Sequence, residues 1–384
     1  MNIKSLLLGS AAVLLAATGA KAADAIVIPE PEPVEYVRVC DAYGAGFFYI
    51  PGTETCLSIS GYVWYQIGAS SYDNVNDTFG KVSSADGWDK LTRVRLNFDA
   101  RSDTEWGTLR AFVRLQATWG YPSDGPVAVD QGYIQLGGLM MGYSESFWAD
   151  SKNGGPSNYG SYTWDGMYYG YQQRHLVGYR FNGANGFFAA VSLEDDRLGG
   201  EGYMPDVVGK IGVAQGWGSV WARAAYDESF DGSIVGGNLN EGGFAGQLGA
   251  QINMPNMPGT SVRIIGYYAD GDHAYNVGAP SCSPGCITGG AEWNILGALN
   301  YQVNPTFGIQ LAGQYFSDLY VAGTDVSTGT DAWAAEIGFI WMPVENFEVR
   351  TEIHYDDRGE FQGVAGGYDP DGTVSGFLRF TRYF

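Results

Sequence analysis

The last eleven residues of the chain alternate. Val374, Gly376, Leu378, Phe380, Arg382 and Phe384 fall on one parity, with Ser375, Phe377, Arg379, Thr381 and Tyr383 between them. A period of two is a strand signal. After the first 22 residues, no window holds the ~20 consecutive apolar residues that a membrane helix needs. A sheet can cross lipid only as a closed barrel, because an open edge leaves backbone groups without partners. The terminal alternation therefore makes a demand on everything upstream. If it closes a barrel, the rest of the chain must be alternating strands, even in number.

The N-terminus reads as an export address. Lys4 gives a positive start, Leu6 to Ala17 an apolar core, and Ala20-Lys21-Ala22 a small-x-small cleavage site. Residues 1–22 are expected to be a signal peptide. Cleavage would leave 362 residues, 19 basic against 42 acidic, a net charge of about −23. That balance argues against nucleic acid, which attracts basic surfaces. The four cysteines form two local pairs, Cys40 with Cys56 and Cys282 with Cys286. An even count in an exported chain favours disulfides over a metal site. No other Cys or His lies near Cys282 and Cys286.

Period-two reading gives sixteen candidate strands: 57–68, 91–101, 107–119, 128–136, 139–143, 171–181, 186–195, 206–215, 218–228, 243–253, 260–270, 292–302, 307–318, 331–342, 347–357 and 374–384. Sixteen is even, and several of these segments reach the 9–11 residues that cross a bilayer at a tilt. Connections alternate in length. Gly137-Gly138, 182–185, 254–259, 304–306 and 343–346 are short, whereas 69–90, 144–170, 229–242, 271–291, 319–330 and 358–373 are long. A soluble sandwich has no reason for that regularity. The expected fold is all-β, a 16-stranded antiparallel transmembrane β-barrel over 57–384 with short periplasmic turns and long extracellular loops.

The ending on Phe384 resembles the closing strand of bacterial outer-membrane barrels, where it is also the address read by the barrel-assembly machinery. Two further regions carry a closer likeness. One is the run from Val39 through Cys40-Asp41-Ala42-Tyr43-Gly44 to Thr55-Cys56, leading into Leu57-Ser58-Ile59-Ser60-Gly61-Tyr62. The other is Asp130-Gln131-Gly132-Tyr133-Ile134-Gln135-Leu136-Gly137-Gly138 followed by a long connection. Together they make the chain similar to the general porins of alphaproteobacteria. That resemblance implies passive diffusion of small hydrophilic solutes through the cell outer membrane, with outer-membrane lipid and lipopolysaccharide as surroundings. It also implies a homotrimer, and a loop at 144–170 that folds inward to narrow the pore.

Parity places the charges. Arg93 and Arg95 oppose Val94 and Leu96; Arg110 and Arg114 oppose Ala111 and Val113; Arg174 and Arg180 oppose Val177 and Tyr179. An arginine facing mid-bilayer lipid costs about 2–4 kcal/mol, so these six should face the lumen. With Glu145, Asp150 and Asp165 of the long connection they would set a transverse field across a constriction.

Residues 23–39 differ in character. Ile28-Pro29-Glu30-Pro31-Glu32-Pro33 favours an extended polyproline spacer between the cleavage site and the disulfide-bounded segment 40–56. Similar barrels that begin Ala-Asp-Ala are joined there to peptidoglycan, which makes Ala23 a candidate attachment point. His175, His273 and His354 are scattered and read as structural. Asp270-Gly271-Asp272 and Asp369-Pro370-Asp371 lack the full spacing of a calcium loop and read as solvated turns. No catalytic constellation stands out, so neither an enzyme nor a cofactor is expected. The competing readings are a substrate-selective nutrient or sugar channel, prompted by Tyr159, Tyr162, Trp164, Tyr168 and Tyr169, and a barrel that mainly tethers the envelope.

Overall fold

The computed structural model describes residues 38–70, 88–120, 123–149, 167–195, 203–230, 242–280, 288–357 and 372–384. Sixteen strands run antiparallel around a ring. The first eight are β1 (Cys56–Ser70), β2 (Asp89–Thr104), β3 (Gly107–Gly120), β4 (Ala128–Leu136), β5 (Leu139–Glu145), β6 (Gln173–Asn182), β7 (Phe187–Asp195) and β8 (Asp206–Gln215). The others are β9 (Gly218–Asp227), β10 (Gly243–Asn253), β11 (Ser261–Ala269), β12 (Thr288–Asn304), β13 (Phe307–Val321), β14 (Ala332–Val344), β15 (Phe347–Asp357) and β16 (Thr373–Tyr383). Each pairs with the next, and β16 pairs with β1 from Tyr383↔Tyr62 to Ser375↔Ser70. Gly61 and Phe384 exchange both backbone hydrogen bonds, at 2.9 and 3.1 Å, so the final aromatic completes the seam.

These are the sixteen strands that period two predicts; β1, β2, β5, β12 and β13 run longer than expected, and β6, β7, β9 and β11 are one or two residues shorter. β12 and β13 continue to Thr288↔Val321, beyond the alternating apolar stretch, because the ladder runs on into a polar hairpin. β8 and β9 pair without a slip from Val207↔Tyr226 to Gln215↔Gly218. Their pattern is weak in sequence because Val208, fully buried, and Gly212 point inward where a polar residue would mark the face.

Which face is apolar decides the class. Leu248 is 68% exposed beside Gln247 at 2%, and Ile295 is 53% exposed beside Asn294 at 6%. A soluble sandwich would bury the leucine and wet the glutamine. Here the apolar side faces out and the polar side in, as lipid outside a wet interior demands. Trp119, Trp293 and Trp333 face out near the long connections, and Trp106, Trp217 and Trp341 near the short turns. Trp333 and Trp341 are eight residues apart on β14, roughly 20 Å along the barrel axis at ~3.3 Å per residue and a ~40° tilt, near the ~25 Å of an apolar band. The short turns use residues that accept a left-handed backbone: Asn346, between β14 and β15, sits at φ 59°.

The segment ahead of β1 is a small hairpin on the short-turn end. Phe47–Tyr49 pairs with the start of β1, Phe47 opposite Ser58 and Tyr49 opposite Cys56. A disulfide joins Cys40 to Cys56 across 16 residues, worth about 3 kcal/mol of loop-closure entropy. Arg101 lies over Tyr43 and Phe47, 5.8 and 5.0 Å from their ring centroids, and fixes the hairpin to β2. Residues 1–37 and Cys282 and Cys286 lie outside the described residues.

Candidate functional site

Arginines gather where β16, β1, β2 and β3 meet. Arg93 and Arg379 flank Trp64, 5.2 and 4.5 Å from its ring centroid, in cation–π contact. Arg93 Nε donates to Thr118 Oγ1 at 2.9 Å, and Arg379 Nε to Gln66 Oε1 at 2.8 Å. Arg95 stands 5.2 Å from the centroid of Tyr62 and donates to Gln116 Oε1 at 2.9 Å. Asp130 lies between Arg95 and Arg114, 3.7 and 3.6 Å from their nitrogens, and Glu145 is 3.8 Å from Arg114. Arg350 continues the group on β15, donating to Gln310 Oε1 at 2.9 Å and to Glu352 Oε2 at 3.0 and 2.9 Å.

Of the six arginines predicted for the lumen, all point inward, but the structure sorts them. Arg93, Arg95 and Arg114 share one wall with Glu145. Arg110 lies nearer the short-turn end, bidentate to Asp99 at 2.8 Å and over Phe112 and Tyr133. Arg180 packs on Phe147, 3.9 Å from its centroid, and Arg174 on Tyr275 at 5.5 Å. Those last two lie against segments that enter the barrel. Asp150 and Asp165 lie outside the described residues, as do Tyr159, Tyr162 and Trp164.

The connection 146–172 enters the barrel at both of its described ends. On the way in, Phe147 N donates to Glu194 Oε1 at 2.9 Å, and Arg223 donates to the Trp148 carbonyl. Phe147 and Trp148 are fully buried. A Cβ on Gly178 would come within 2.8 Å of the Phe147 ring, so that strand position has room for glycine only. On the way out, Tyr168 is held by β13: its N–H donates to Gln314 Oε1 and its carbonyl accepts from Gln314 Nε2, both at 2.9 Å. Its ring meets Phe316 edge-on. One end is therefore anchored on β7 and β9, the other on β13, across the lumen.

A second segment also enters, and the sequence reading placed it among the outer connections. Residues 270–280 leave β11 and turn inward, with His273, Tyr275, Val277 and Ala279 all buried. Asp272, expected in a solvated turn, is a clamp: it accepts from Gly290 N and Gly323 N at 2.7 Å each, and its own N–H donates to the Thr324 carbonyl. Tyr275 OH donates to Asp206 Oδ2 at 2.9 Å, and Ala274 N to Asp227 Oδ2 at 2.9 Å. The signal for this segment was the period-two burial of positions 273 to 279. It was hidden in a stretch rich in Gly, Asp and Pro.

His273 gives the second segment a pH dependence. Its Nδ1 accepts the Tyr275 N–H at 3.2 Å, which requires the neutral ring. Burial lowers its pKa below the ordinary 6.5, while Phe244's carbonyl and Asp227, Asp270 and Asp272 oppose that shift by favouring the cation. The Phe230 ring packs on its remaining side. The undocked segment thus takes up a proton first, so docking weakens as pH falls below about 6.5 and is constant above it. The Tyr275 amide, corrected for intrinsic rate, should exchange faster at about pH 5.5 than at about pH 7.5; equal protection would contradict this role of His273.

A closed barrel, apolar outside and charged within, narrowed by segments that enter it from one end, defines a transmembrane channel. Comparison with known proteins gives its kind. The model of the porin subfamily matches residues 24–374, and the chain belongs to that family. Porin Omp2b of Brucella canis is 35% identical over 416 residues, covering 100% of both chains. The outer membrane channel DcaP of Acinetobacter baumannii shares the fold at TM-score 0.63 and 14% identity, over 88% of this chain and 99% of that one. An anion-selective porin from Comamonas acidovorans does so at TM-score 0.60 and 12% identity, over 86% and 100%. The protein is a passive diffusion channel of the outer membrane, with short turns toward the periplasm and long loops outside.

Proposed function

We propose that the channel's eyelet lies between the 146–172 loop and the wall formed by Arg93, Arg95 and Arg114, extended by Arg379 and Arg350. The observation that carries this is the loop's two anchorages, on Glu194 and Arg223 at one end and Gln314 at the other. Both described arms of the loop enter the barrel, and the span between them is proposed to stand opposite the guanidiniums that surround Trp64. Asp150 and Asp165 are proposed to supply the opposing charge, whereas Glu145, expected with them, ends β5 and stands beside Arg114 in the same wall. A field of this kind orders water and favours small polar solutes over apolar ones. Arg110, Arg174 and Arg180 support the eyelet by fixing the wall and the loop root.

The sugar-channel reading needs aromatic faces open to stack on a ring. Trp64 is flanked by two guanidiniums instead, which favours unspecific diffusion. The assembly proposed is a homotrimer, inserted by the barrel-assembly machinery through β16, with long loops against lipopolysaccharide. Ala23 is proposed as a point of attachment to peptidoglycan, and Cys282 and Cys286 as a second disulfide. Liposomes carrying the protein should swell at rates that fall smoothly with sugar size and do not saturate. Saturable preference for one sugar would replace this reading with the nutrient channel.

A further inference from the structure

Behind the eyelet loop the barrel wall is made of small residues. Ala225, Ala245 and Ala269 sit side by side on β9, β10 and β11, facing inward, and Gly243 lies in the next row. All are buried although their side chains are too short to bury one another across a lumen. Tyr275 and Val277 of the 270–280 segment share one buried cluster with these three alanines. A Cβ on Gly243 would come within 2.6 Å of the His273 ring, so the segment lies directly on this floor. Its other side meets the eyelet loop at both ends. Tyr275 packs edge-on against Trp148, with centroids 6.3 Å apart. A Cβ on Gly170 would stand 2.7 Å from Trp148 Nε1 and 3.5 Å from Val277 Cγ2. Wall, inserted segment and loop thus form three packed layers.

We infer that residues 270–280 are a second constriction element, a wedge that seals the space between the loop and the β7–β11 wall and fixes the loop's distance from the arginines. Solutes then pass on the arginine side only. Three fastenings hold the wedge: Tyr275 OH on Asp206, Ala274 N on Asp227, and the Asp272 clamp onto Gly290 and Gly323. The Tyr275 hydroxyl is the one at the tip, with Glu194 Oε2 a further 3.4 Å acceptor beside it. Glu194 also receives the Phe147 N–H, so wedge and loop root share one carboxylate. The inference rests on the eyelet reading above and adds a second gatepost to it.

The test uses the full-length protein in planar bilayers and in liposomes. Tyr275→Ala should raise single-channel conductance about 1.5-fold or more and admit larger sugars, because a path opens behind the loop. Barrel formation is checked by heat-modifiable electrophoretic mobility. A folded Tyr275→Ala protein with wild-type conductance and sugar cut-off overturns the wedge while leaving the channel reading intact. A wild-type protein that does not conduct would instead overturn the channel reading. A second measurement does not depend on that variant: Ala245→Cys lies beneath the wedge and should resist a water-soluble thiol reagent. Rapid labelling of Ala245→Cys would show the floor uncovered and also overturn the inference.

Discussion

Replacing Arg93 and Arg114 together by alanine should shift the ratio of cation to anion permeability about fivefold toward cations at 0.1 M salt. An ion about 8 Å from a guanidinium feels roughly 0.5 kcal/mol in water. A Debye length of ~10 Å cuts that to about half. Two lost charges act in opposite senses on the two ions, which yields the fivefold figure. The change also leaves Asp130, now 3.6 Å from Arg114, and Glu145, at 3.8 Å, with less positive charge beside them, which works in the same direction. At 1 M salt the Debye length is ~3 Å and the shift should vanish. The zero-current potential across a salt gradient measures it. A ratio unmoved at low salt would mean that the two arginines only stiffen the wall and take no part in selection.

The same residues show how far the sequence could be read. The facing of Arg93 and Arg114 needed only parity and the cost of a charge in lipid, and both are local. The sixteen strands were equally legible, because each must alternate to put Leu248 in lipid and Gln247 in the lumen. The meeting of Arg93 with Arg379 was not legible. Arg379 is 313 positions from Gln66, its hydrogen-bond partner, and the two come together only because the barrel closes. Parity puts Arg350 opposite Val349 and Thr351, on the polar side of its strand, but nothing in it says how far around the ring Arg350 stands from Trp64.

Segments that fold into the barrel obey a different rule, which explains why the wedge was missed. A strand announces itself by alternating between lipid and water. The 270–280 segment has wall on one side and loop on the other. Its polar atoms are matched one by one, Asp272 to two backbone N–H groups and Tyr275 to Asp206, and the short alternation from His273 to Ala279 does not record those partners. Depth of burial also misleads in the sequence: Glu194 and Arg350 look like solvated charges and are fully buried.

Gln314→Ala should release the outgoing arm of the eyelet loop. Gln314 holds Tyr168 as a neighbouring strand would, giving one hydrogen bond to its carbonyl and taking one from its N–H, and it is oriented for this by Asn294 Oδ1 at 2.8 Å. Two such bonds are worth about 2 kcal/mol together, since each contributes ~0.5–1.5 kcal/mol net of water. The edge contact of Tyr168 with Phe316 and a long bond, 3.4 Å, from Tyr168 OH to Asp356 are among the contacts that stay. The detached arm should therefore become about 30-fold more populated, at a factor of ten for each ~1.4 kcal/mol. Two readouts follow: the Tyr168 amide exchanges about 30-fold faster, and open-channel current becomes noisier as the eyelet fluctuates. Gln314→Glu separates the two bonds. Its carboxylate still accepts from Tyr168 N–H but repels the carbonyl, so its effect should fall between wild type and alanine. If both variants leave exchange and noise unchanged, the loop is held by the Phe147 and Trp148 anchorage alone, and Gln314 is merely part of the wall.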